Sequence, residues 1–435
     1  TYKNGITFDK WSTKPGFESY FHPFAAQTDD IFTVPLFYKN IQARMQGYSV
    51  NAHPDRYFLE TYLSSNNLGP LPAESFPFGI AYGYHFDSAL LGQFLAEKAQ
   101  NLGVKRIYGN VADVLVTNGG NLSAVKLSDD SQLEADFFVD CSGFNALLMQ
   151  KTLKVNYMSF KDNLVNDAAV VMASEVSKQL PPETKATALS NGWAWQIPLR
   201  NRFGNGYVYS SKYIDENQAK QQLIDYIGDD YSDELSIRKI KLNHGYHKKF
   251  WHKNSVAIGM SAGFVEPLEA SAIYLFDAAA NMIAAQFPRT RAQMPYVEDK
   301  FNQHFTMRME RTVEFIKLHY CISQRQDSQY WRDNCDVKSI PNHLLDRLSY
   351  WQTKPPTKYD FDNAWEPFNL DSYLYVLYGM NFNTDISDNK AAYSDSVKAN
   401  EMFERIDLAS GLLIGKLPEQ RELINQVLQH GFNKI

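Results

Sequence analysis

The chain is poor in several features that mark large classes of protein. Its 435 residues contain three cysteines, Cys141, Cys321 and Cys335, an odd number without the spacing of a metal site. So few cysteines exclude a disulfide framework and are typical of the cytoplasm, where we expect the protein to be localised. We expect neither a bound metal nor a membrane-spanning helix, since no uninterrupted apolar run reaches about 18 residues.

Clusters of positive charge are lacking as well. The formal net charge is −6, and the 43 Lys and Arg residues form no basic block. A nucleic-acid-binding protein normally shows a basic patch, so a nucleic acid is not an expected partner. Aromatic residues, in contrast, make up 14% of the chain. So many rings suit a large core or a pocket for a flat ligand.

The hydrophobic patterns predict an α/β fold. Residues 15–80 have weak periodicity and are predicted to form long loops and short helices. An amphipathic helix is predicted over residues 88–101, with Asp87 as its N-cap and Gly103 beyond its end. Strands are predicted over 104–108, 111–116, 124–127, 137–139, 168–172, 193–197, 206–210 and 255–259, and further helices over 271–287, 297–325, 397–414 and 418–430.

The segment 255–287 predicts a small backbone cradle. A buried strand enters a loop of small residues, and the helix after it begins near Ser271 and Ala272. Free amides at a helix N-terminus, together with the helix dipole, favour anions. The alternative is a plain helix start without a ligand.

Two motifs carry a resemblance to a known family. Residues 264–273 read Phe-Val-Glu-Pro-Leu-Glu-Ala-Ser-Ala-Ile, and residues 192–198 read Gly-Trp-Ala-Trp-Gln-Ile-Pro. The first resembles the Phe-Val-Glu-Pro-Leu-Glu-Ser-Thr-Gly-Ile signature of the tryptophan-type flavin-dependent halogenases, and the second resembles their Trp-x-Trp-x-Ile-Pro motif. Shorter matches keep the family order and cover essentially the whole chain; they lie at residues 1–3, 84–87, 140–144 and 206–211.

The resemblance implies a fold and a division into domains. It predicts an FAD-binding, Rossmann-like domain with mixed sheets over residues 1–290, including an inserted substrate-side sheet, and a mainly helical substrate-binding module over 291–435. The family opens with a Gly-x-Gly-x-x-Gly fingerprint for the FAD pyrophosphate, a motif that these residues lack. We therefore expect the first βαβ unit to precede Thr1 in the full protein.

The resemblance also implies an activity. Members use FADH2, O2 and chloride or bromide to make hypohalous acid, and they halogenate an electron-rich aromatic ring, here an indole. By motif, Lys3 is the catalytic lysine and Glu269 the assisting glutamate. A separate flavin reductase is the implied partner. Taken without the family, Lys3 would be a surface lysine and Glu269 a carboxylate favoured by a helix start.

Ligand contacts follow from the same resemblance. The backbone amides of Ser271 and Ala272 match the halide site. FAD contacts match Val111, Met260 and Ile273. Many members have Ser and Gly where this chain has Ala270 and Ala272, so the fit of the halide is expected to differ.

Aromatic residues complete the implied site. Trp193 and Trp195 match a barrier between flavin and substrate, although residues i and i+2 of a strand also pack together as core indoles. His22, Phe24 and Trp365 match the side chains that stack on the substrate ring. The tyrosine–glutamate clamp of tryptophan-specific members is absent from residues 353–360, which favours a neutral indole over free tryptophan.

Two other functions remain open at this point. A flavin monooxygenase of related fold would hydroxylate an aromatic ring, but the Trp-x-Trp-x-Ile-Pro motif and the lysine argue against it. A flavin-fold protein without catalysis, acting as a binding module, is the third hypothesis.

Overall fold

A computed structural model gives the fold of the chain. It describes residues 1–24, 34–48, 50, 52–72, 79–228, 236–361, 365–388 and, apart from 405, 406, 409 and 413, residues 404–431.

The strands come mostly from the first three fifths of the chain. In chain order they are β1 (Tyr2–Lys3), β2 (Gly5–Asp9), β3 (Tyr20–Pro23), β4 (Gly83–Tyr84), β5 (Val111–Val116), β6 (Leu122–Leu127), β7 (Gln132–Glu134), β8 (Phe138–Asp140), β9 (Tyr157–Ser159), β10 (Ala168–Ser174), β11 (Glu183–Leu189), β12 (Gly192–Pro198), β13 (Phe203–Tyr209), β14 (Arg238–Lys241), β15 (Gly245–His247), β16 (Trp251–His252), β17 (Ser255–Ala257) and β18 (Gly263–Phe264).

Four helices lie among the strands, and helices dominate the described chain after β18. They are α1 (Val34–Met45), α2 (Leu59–Ser65), α3 (Ser88–Asn101), α4 (Glu216–Ile227), α5 (Ala272–Gln286), α6 (Met294–Cys321), α7 (Gln329–Asn334), α8 (Asn342–Trp351), α9 (Leu370–Gly379) and α10 (Gln420–His430).

The largest sheet within the described residues has the strand order β14-β10-β13-β12-β11-β2-β3. Strand β2 runs parallel to β11 and antiparallel to β3, while the other neighbouring pairs are antiparallel. One face of this sheet packs on α6, whose second half is almost entirely buried. The sheet and α6 therefore enclose the main hydrophobic core, and chemical groups on β3, β12 and α6 can meet inside it.

A second, smaller layer brings two loops together. Strand β17 pairs in parallel with β8, so both end at the same edge. The carboxylate of Asp140, at the end of β8, accepts hydrogen bonds from the backbone amides of Ser142, Leu148 and Met149 at 2.8–3.0 Å. The carbonyl of Asp140 in turn accepts the amide of Ile258 at 3.0 Å. These bonds fix the loop after β8 against the loop after β17.

Most predicted elements are confirmed, with small shifts at their ends. Helix α3 spans the predicted residues, and Asp87 caps it by accepting the amides of Ala89 and Leu90. Its apolar stripe is nevertheless exposed: Leu90 and Phe94 keep 67% and 52% of their surface accessible. The predicted helix over residues 397–414 lies for the most part outside the described residues.

The strand predicted over residues 104–108 is wrong. These residues are exposed and have no regular secondary structure. A strand needs a neighbour to satisfy its backbone groups, and the local sheet begins only at β5, which pairs with β6. Alternating apolar residues therefore do not form a strand here.

The predicted α/β class, with mixed sheets and a mainly helical C-terminal part, is confirmed. The main core draws side chains from both sides of residue 290, and the division into two domains at that point stays a prediction. Among the described residues, no helix is long and apolar enough to cross a membrane, and no cluster of three or more His, Cys, Asp or Glu side chains is arranged to hold a metal ion.

Candidate active site

Glu269 lies on a strained bend between β18 and α5. Its φ is 68° and that of Ala270 is 54°, so two consecutive residues with a Cβ occupy the left-handed region. This conformation costs about 1–2 kcal/mol for each such residue. The surrounding packing over-determines the bend, since Leu268 and Ser271 on either side are buried. Such strain is commonly found at functional sites.

Two histidines from other elements converge on the Glu269 carboxylate. His22, on β3, places Nδ1 2.9 Å from Oε2, and His319, on α6, places Nε2 2.8 Å from Oε1. The side chain of Glu269 is 3% exposed. Burial by itself would raise the pKa of Glu269, but the two histidines outweigh it and lower the pKa to about 2. The carboxylate is therefore ionised at neutral pH.

Lys3 is the second ionisable group of this region. It lies on β1, opposite Gly83 of β4, and is 6% exposed. Burial lowers the pKa of Lys3 to about 8, while the attraction of Glu269 works in the opposite direction. The Lys3 ammonium lies 5.7 Å from the centre of the Phe24 ring, within range of a cation–π interaction. Lys3 is thus a buried cation near neutrality, unlike a surface lysine.

Ser271 and Ala272 begin helix α5 directly after the bend. The first amides of a helix have no acceptor within it, so they are available to a ligand. Both residues line a small, mainly apolar cavity of about 30 Å³, together with Gly259, Phe305 and others. This volume is enough for about two water molecules or one small anion.

Trp193 and Trp195 share one face of β12, as their spacing predicts. Their ring centres lie 5.9 Å apart. Trp193 is 2% exposed and donates its indole N–H to Oε1 of Glu266 across 3.3 Å. Gly206 on β13 lies under Trp195, and a Cβ there would come within 2.1 Å of that ring. The hydrogen bond to Glu266 therefore fixes the Trp193 ring, and the close packing on Gly206 fixes the Trp195 ring.

The three residues matched to substrate stacking lie in different surroundings. His22 is held edge-on by Glu269 and by the hydroxyl of Ser372 at 3.2 Å. Phe24 lies beside Lys3. Trp365 is 59% exposed, and the guanidinium of Arg308 lies 5.9 Å from its ring centre. Arg308 precedes His319 by eleven residues on α6, so the contact between Arg308 and Trp365 lies about 16 Å along the helix axis from His319.

The residues matched to FAD are exposed although they are apolar. Val111, Met260 and Ile273 keep 40%, 44% and 55% of their surface accessible. Met260 adjoins Gly259, whose φ is +76° and where an added Cβ would lie 4.0 Å from the ring of Phe276. Exposed apolar side chains, one of them beside a glycine, can pack against a flat apolar ring system such as that of a flavin.

Two buried groups of this region were not predicted. Glu266 accepts hydrogen bonds from Trp193, from Asn166 at 2.9 Å and from the Tyr320 hydroxyl. His319 is fully buried behind Glu269. Glu266 belongs to the Glu-Pro-Leu-Glu motif, which could have marked it. His319 stands in a long amphipathic helix, and no local signal in the sequence sets it apart.

Comparisons with known proteins identify the family of the chain. Residues 1–396 match the family model described as tryptophan halogenase. The chain is 33% identical over 349 residues to the 7-chloro-L-tryptophan 6-halogenase KtzR of Kutzneria sp. (strain 744) and 32% identical over 344 residues to the tryptophan 6-halogenase SttH of Streptomyces toxytricini. These matches cover 79% and 78% of this chain. They span just under two thirds of the relatives, 66% and 65% of their lengths.

A solved structure is similar over the whole chain. The tryptophan halogenase from Shewanella frigidimarina NCIMB 400 matches with a TM-score of 0.90 and 32% identity, covering 100% of this chain and 84% of the other. The family predicted from the two motifs is confirmed by the sequence match and by the fold. The chain belongs to the tryptophan halogenase family.

Proposed function

We propose that the protein is an FADH2-dependent halogenase that places chlorine or bromine on an electron-rich aromatic ring, with an indole as substrate. The observation that supports this most is the pairing of a buried lysine with a buried, ionised carboxylate. Lys3 and Glu269 attract each other electrostatically in a region that excludes water. Such a pair suits the transfer of an electrophilic halogen to a ring, in which the cation can activate the halogen donor and the carboxylate can take up the ring proton.

The flavin would rest on the exposed apolar side chains of Val111, Met260 and Ile273. When bound in its reduced form, it supplies hypohalous acid from O2 and a halide ion. The amides of Ser271 and Ala272 would hold the halide, since they lie at a helix N-terminus and line the small cavity.

Lys3 would aim the oxidised halogen at the substrate. With its pKa lowered to about 8, Lys3 can be present both as an ammonium ion and as a neutral amine near neutral pH. An ammonium ion can donate a hydrogen bond to the oxygen of hypohalous acid and so make the halogen more electrophilic. A covalent haloamine, the alternative route, would form from the neutral amine.

Glu269 would stabilise the cationic ring and accept its proton. The ring carbon forms a bond to the halogen as the bond between halogen and oxygen breaks, and hydroxide leaves. The ring then loses a proton to the carboxylate, and this proton and the hydroxide together form water. Trp193 and Trp195 would keep the flavin and the ring apart, so that oxygen is not transferred directly.

The partner proposed for this reaction is a separate flavin reductase, because the chain shows no nicotinamide-binding motif. We propose that both proteins work in the cytoplasm. The test incubates the full-length protein with indole, FAD and chloride or bromide. A complete mixture contains NADH and a flavin reductase, and the control lacks the reductase. Mass spectrometry should detect a halogenated indole only in the complete mixture. A hydroxylated product, or turnover driven by NADH without reductase, would refute the proposal.

A further inference from the structure

The hydrogen bonds around His319 require an additional proton in the site. Nδ1 of His319 lies 2.9 Å from the carbonyl oxygen of Phe315. A carbonyl only accepts hydrogen bonds, so Nδ1 carries a hydrogen. Nε2 lies 2.8 Å from Oε1 of Glu269. A neutral imidazole has a single N–H. If Nδ1 carries that hydrogen, Nε2 has only a lone pair, and this lone pair would face a lone pair of the Glu269 carboxylate. One more proton must lie between Nε2 and Glu269.

The same requirement does not apply to His22. Its Nδ1 faces Glu269, and its Nε2 faces the hydroxyl of Ser372 at 3.2 Å. A hydroxyl can donate as well as accept, so a neutral His22 satisfies both contacts. The additional proton therefore belongs to His319 or to Glu269. Glu269 also faces Nδ1 of His22 at 2.9 Å and the ammonium group of Lys3, which both favour a carboxylate, so the proton is assigned to His319.

The surroundings of His319 suit an imidazolium ion. The side chain is fully buried, yet aromatic rings enclose it on several sides. The centres of the Phe8, Phe315 and Trp11 rings lie 4.8, 5.2 and 5.9 Å from that of His319. Aromatic faces attract a cation that has been removed from water. The carboxylate of Glu269, 2.8 Å from Nε2, offsets the cost of burying the charge.

We propose that His319 is a positioning residue that remains doubly protonated through turnover and keeps Glu269 as a carboxylate directed at the substrate ring. This inference rests on the proposed function. Glu269 is also faced by Lys3 of β1, His22 of β3 and the hydroxyl-bearing Tyr20 of β3. His319 differs from these groups because both of its hydrogen bonds require it to be the donor.

A weakly basic carboxylate is sufficient for the chemistry. The ring that has gained a halogen is a cation and a far stronger acid than a carboxylic acid. Its C–H bond breaks, the electron pair restores the aromatic ring, and the proton moves to Glu269. His319 neither gives nor receives a proton in this step. Its role is to keep Glu269 unprotonated beforehand, at any pH at which the enzyme works.

Two measurements test this role. The first is nitrogen-15 NMR of labelled histidine at about pH 8, where ordinary histidines are neutral. One imidazolium signal should persist in the wild type and disappear in both His319→Gln and Glu269→Gln, since a neutral amide in place of the carboxylate no longer requires the proton. The matched control is His343→Gln, because His343 also contacts a glutamate, Glu314, at 2.9 Å but lies outside the site. It should leave the signal in place.

The second measurement is the pH profile of halogenation. In His319→Gln the amide can still donate to Glu269 but brings no charge, so Glu269 becomes protonated at a higher pH. The rate of this variant at about pH 5 should fall at least threefold relative to its own rate at about pH 7.5, while the wild type and His343→Gln stay level. A wild type without an imidazolium signal, or an unshifted profile in a folded His319→Gln, overturns the inference. A wild type that shows the signal but does not halogenate contradicts the proposed function alone.

Discussion

Trp193 donates its indole N–H to the carboxylate of Glu266, across 3.3 Å, in the interior of the protein. Glu266 stands three residues before Glu269, so this bond ties the strand that bears the two tryptophans to the bend that bears the proposed proton acceptor. The proposed barrier to the flavin and the proposed base for the substrate are thereby held together.

We expect removal of the Glu266 carboxylate to destabilise this unit. Glu266→Ala leaves the donors of Trp193, Asn166 and Tyr320 without their acceptor. Each unsatisfied buried group costs about 1–3 kcal/mol, so the free energy of unfolding should fall by roughly 3 kcal/mol or more. Urea denaturation measures this change. Glu310→Ala, which removes a single bond from Tyr246 at the surface, should cost less than about 1 kcal/mol; equal losses would show that the buried network contributes nothing special.

Lys3 should control the alkaline side of the pH profile. If the ammonium form donates a hydrogen bond to hypohalous acid, the halogenation rate falls as the pH rises through about 8, the pKa of Lys3. Lys3→Ala should abolish the halogenated product while the oxidation of reduced flavin by O2 continues. A rate that instead increases through this pH range would support the haloamine route.

Lys317 offers the matched control for this profile. It is also buried, with a pKa lowered by burial to about 8, but it donates to Asn334 and is attracted by Glu266, whereas Lys3 is attracted by Glu269. Lys317→Met should keep the alkaline limb of the profile. Loss of that limb in Lys317→Met would show that a group other than Lys3 titrates there.

Gly206 should be required for the position of Trp195. In Gly206→Ala the new methyl group would meet the indole at 2.1 Å, so the ring must move. Overpacking of this kind costs about 1–3 kcal/mol, and the displaced barrier should lower the yield of halogenated product per NADH consumed. The control is Gly204→Ala on the same strand, where the nearest atom lies at 4.0 Å. Both variants giving the same yield would exclude a role for the position of the Trp195 ring.

Ala272 should influence the choice of halide. Its methyl group lines the small cavity at the start of α5, and bromide is larger and easier to dehydrate than chloride. We expect bromide to be used at least as well as chloride, and Ala272→Gly to shift the ratio towards chloride. Competition between equal concentrations, followed by mass spectrometry, gives the ratio. Ala278→Gly, elsewhere on the same helix, controls for the general cost of a helical glycine, about 1 kcal/mol.

A neutral indole should react faster than free tryptophan. The cation of Arg308 next to Trp365 would attract the carboxylate of tryptophan but repel its ammonium group. The neighbouring Glu366 is already engaged by Arg347 at 3.3 Å. Burying a charge without a partner costs several kcal/mol, which is roughly a thousandfold in affinity. Parallel assays of indole and L-tryptophan at equal concentration test this, and faster reaction of tryptophan at one benzo-ring carbon would contradict it.

Local patterns predicted the elements and the family well, and the physical reason is that both depend on short stretches of chain. The cap at Asp87, helix α5 and the strand that carries Trp193 all follow from neighbouring residues. Strand 104–108 was wrong because its formation depends on a partner strand, which local alternation cannot reveal. The contacts of His319 and Glu266 were beyond reach for the same reason, since they join residues that are 50 and 73 positions apart.

The left-handed bend at Glu269 and Ala270 limits how this site can change. One residue separates Glu269 from the amide of Ser271, so the proposed proton acceptor and the proposed halide ligand move together whenever the bend moves. A lengthened or shortened loop would alter the choice of ion and the chemistry on the ring at once. Substitutions of side chains on β3, α6 and the start of α5 should therefore change the choice of ion or the chemistry on the ring more readily than changes in the bend itself. Laboratory evolution of this protein should select its improvements at those side chains.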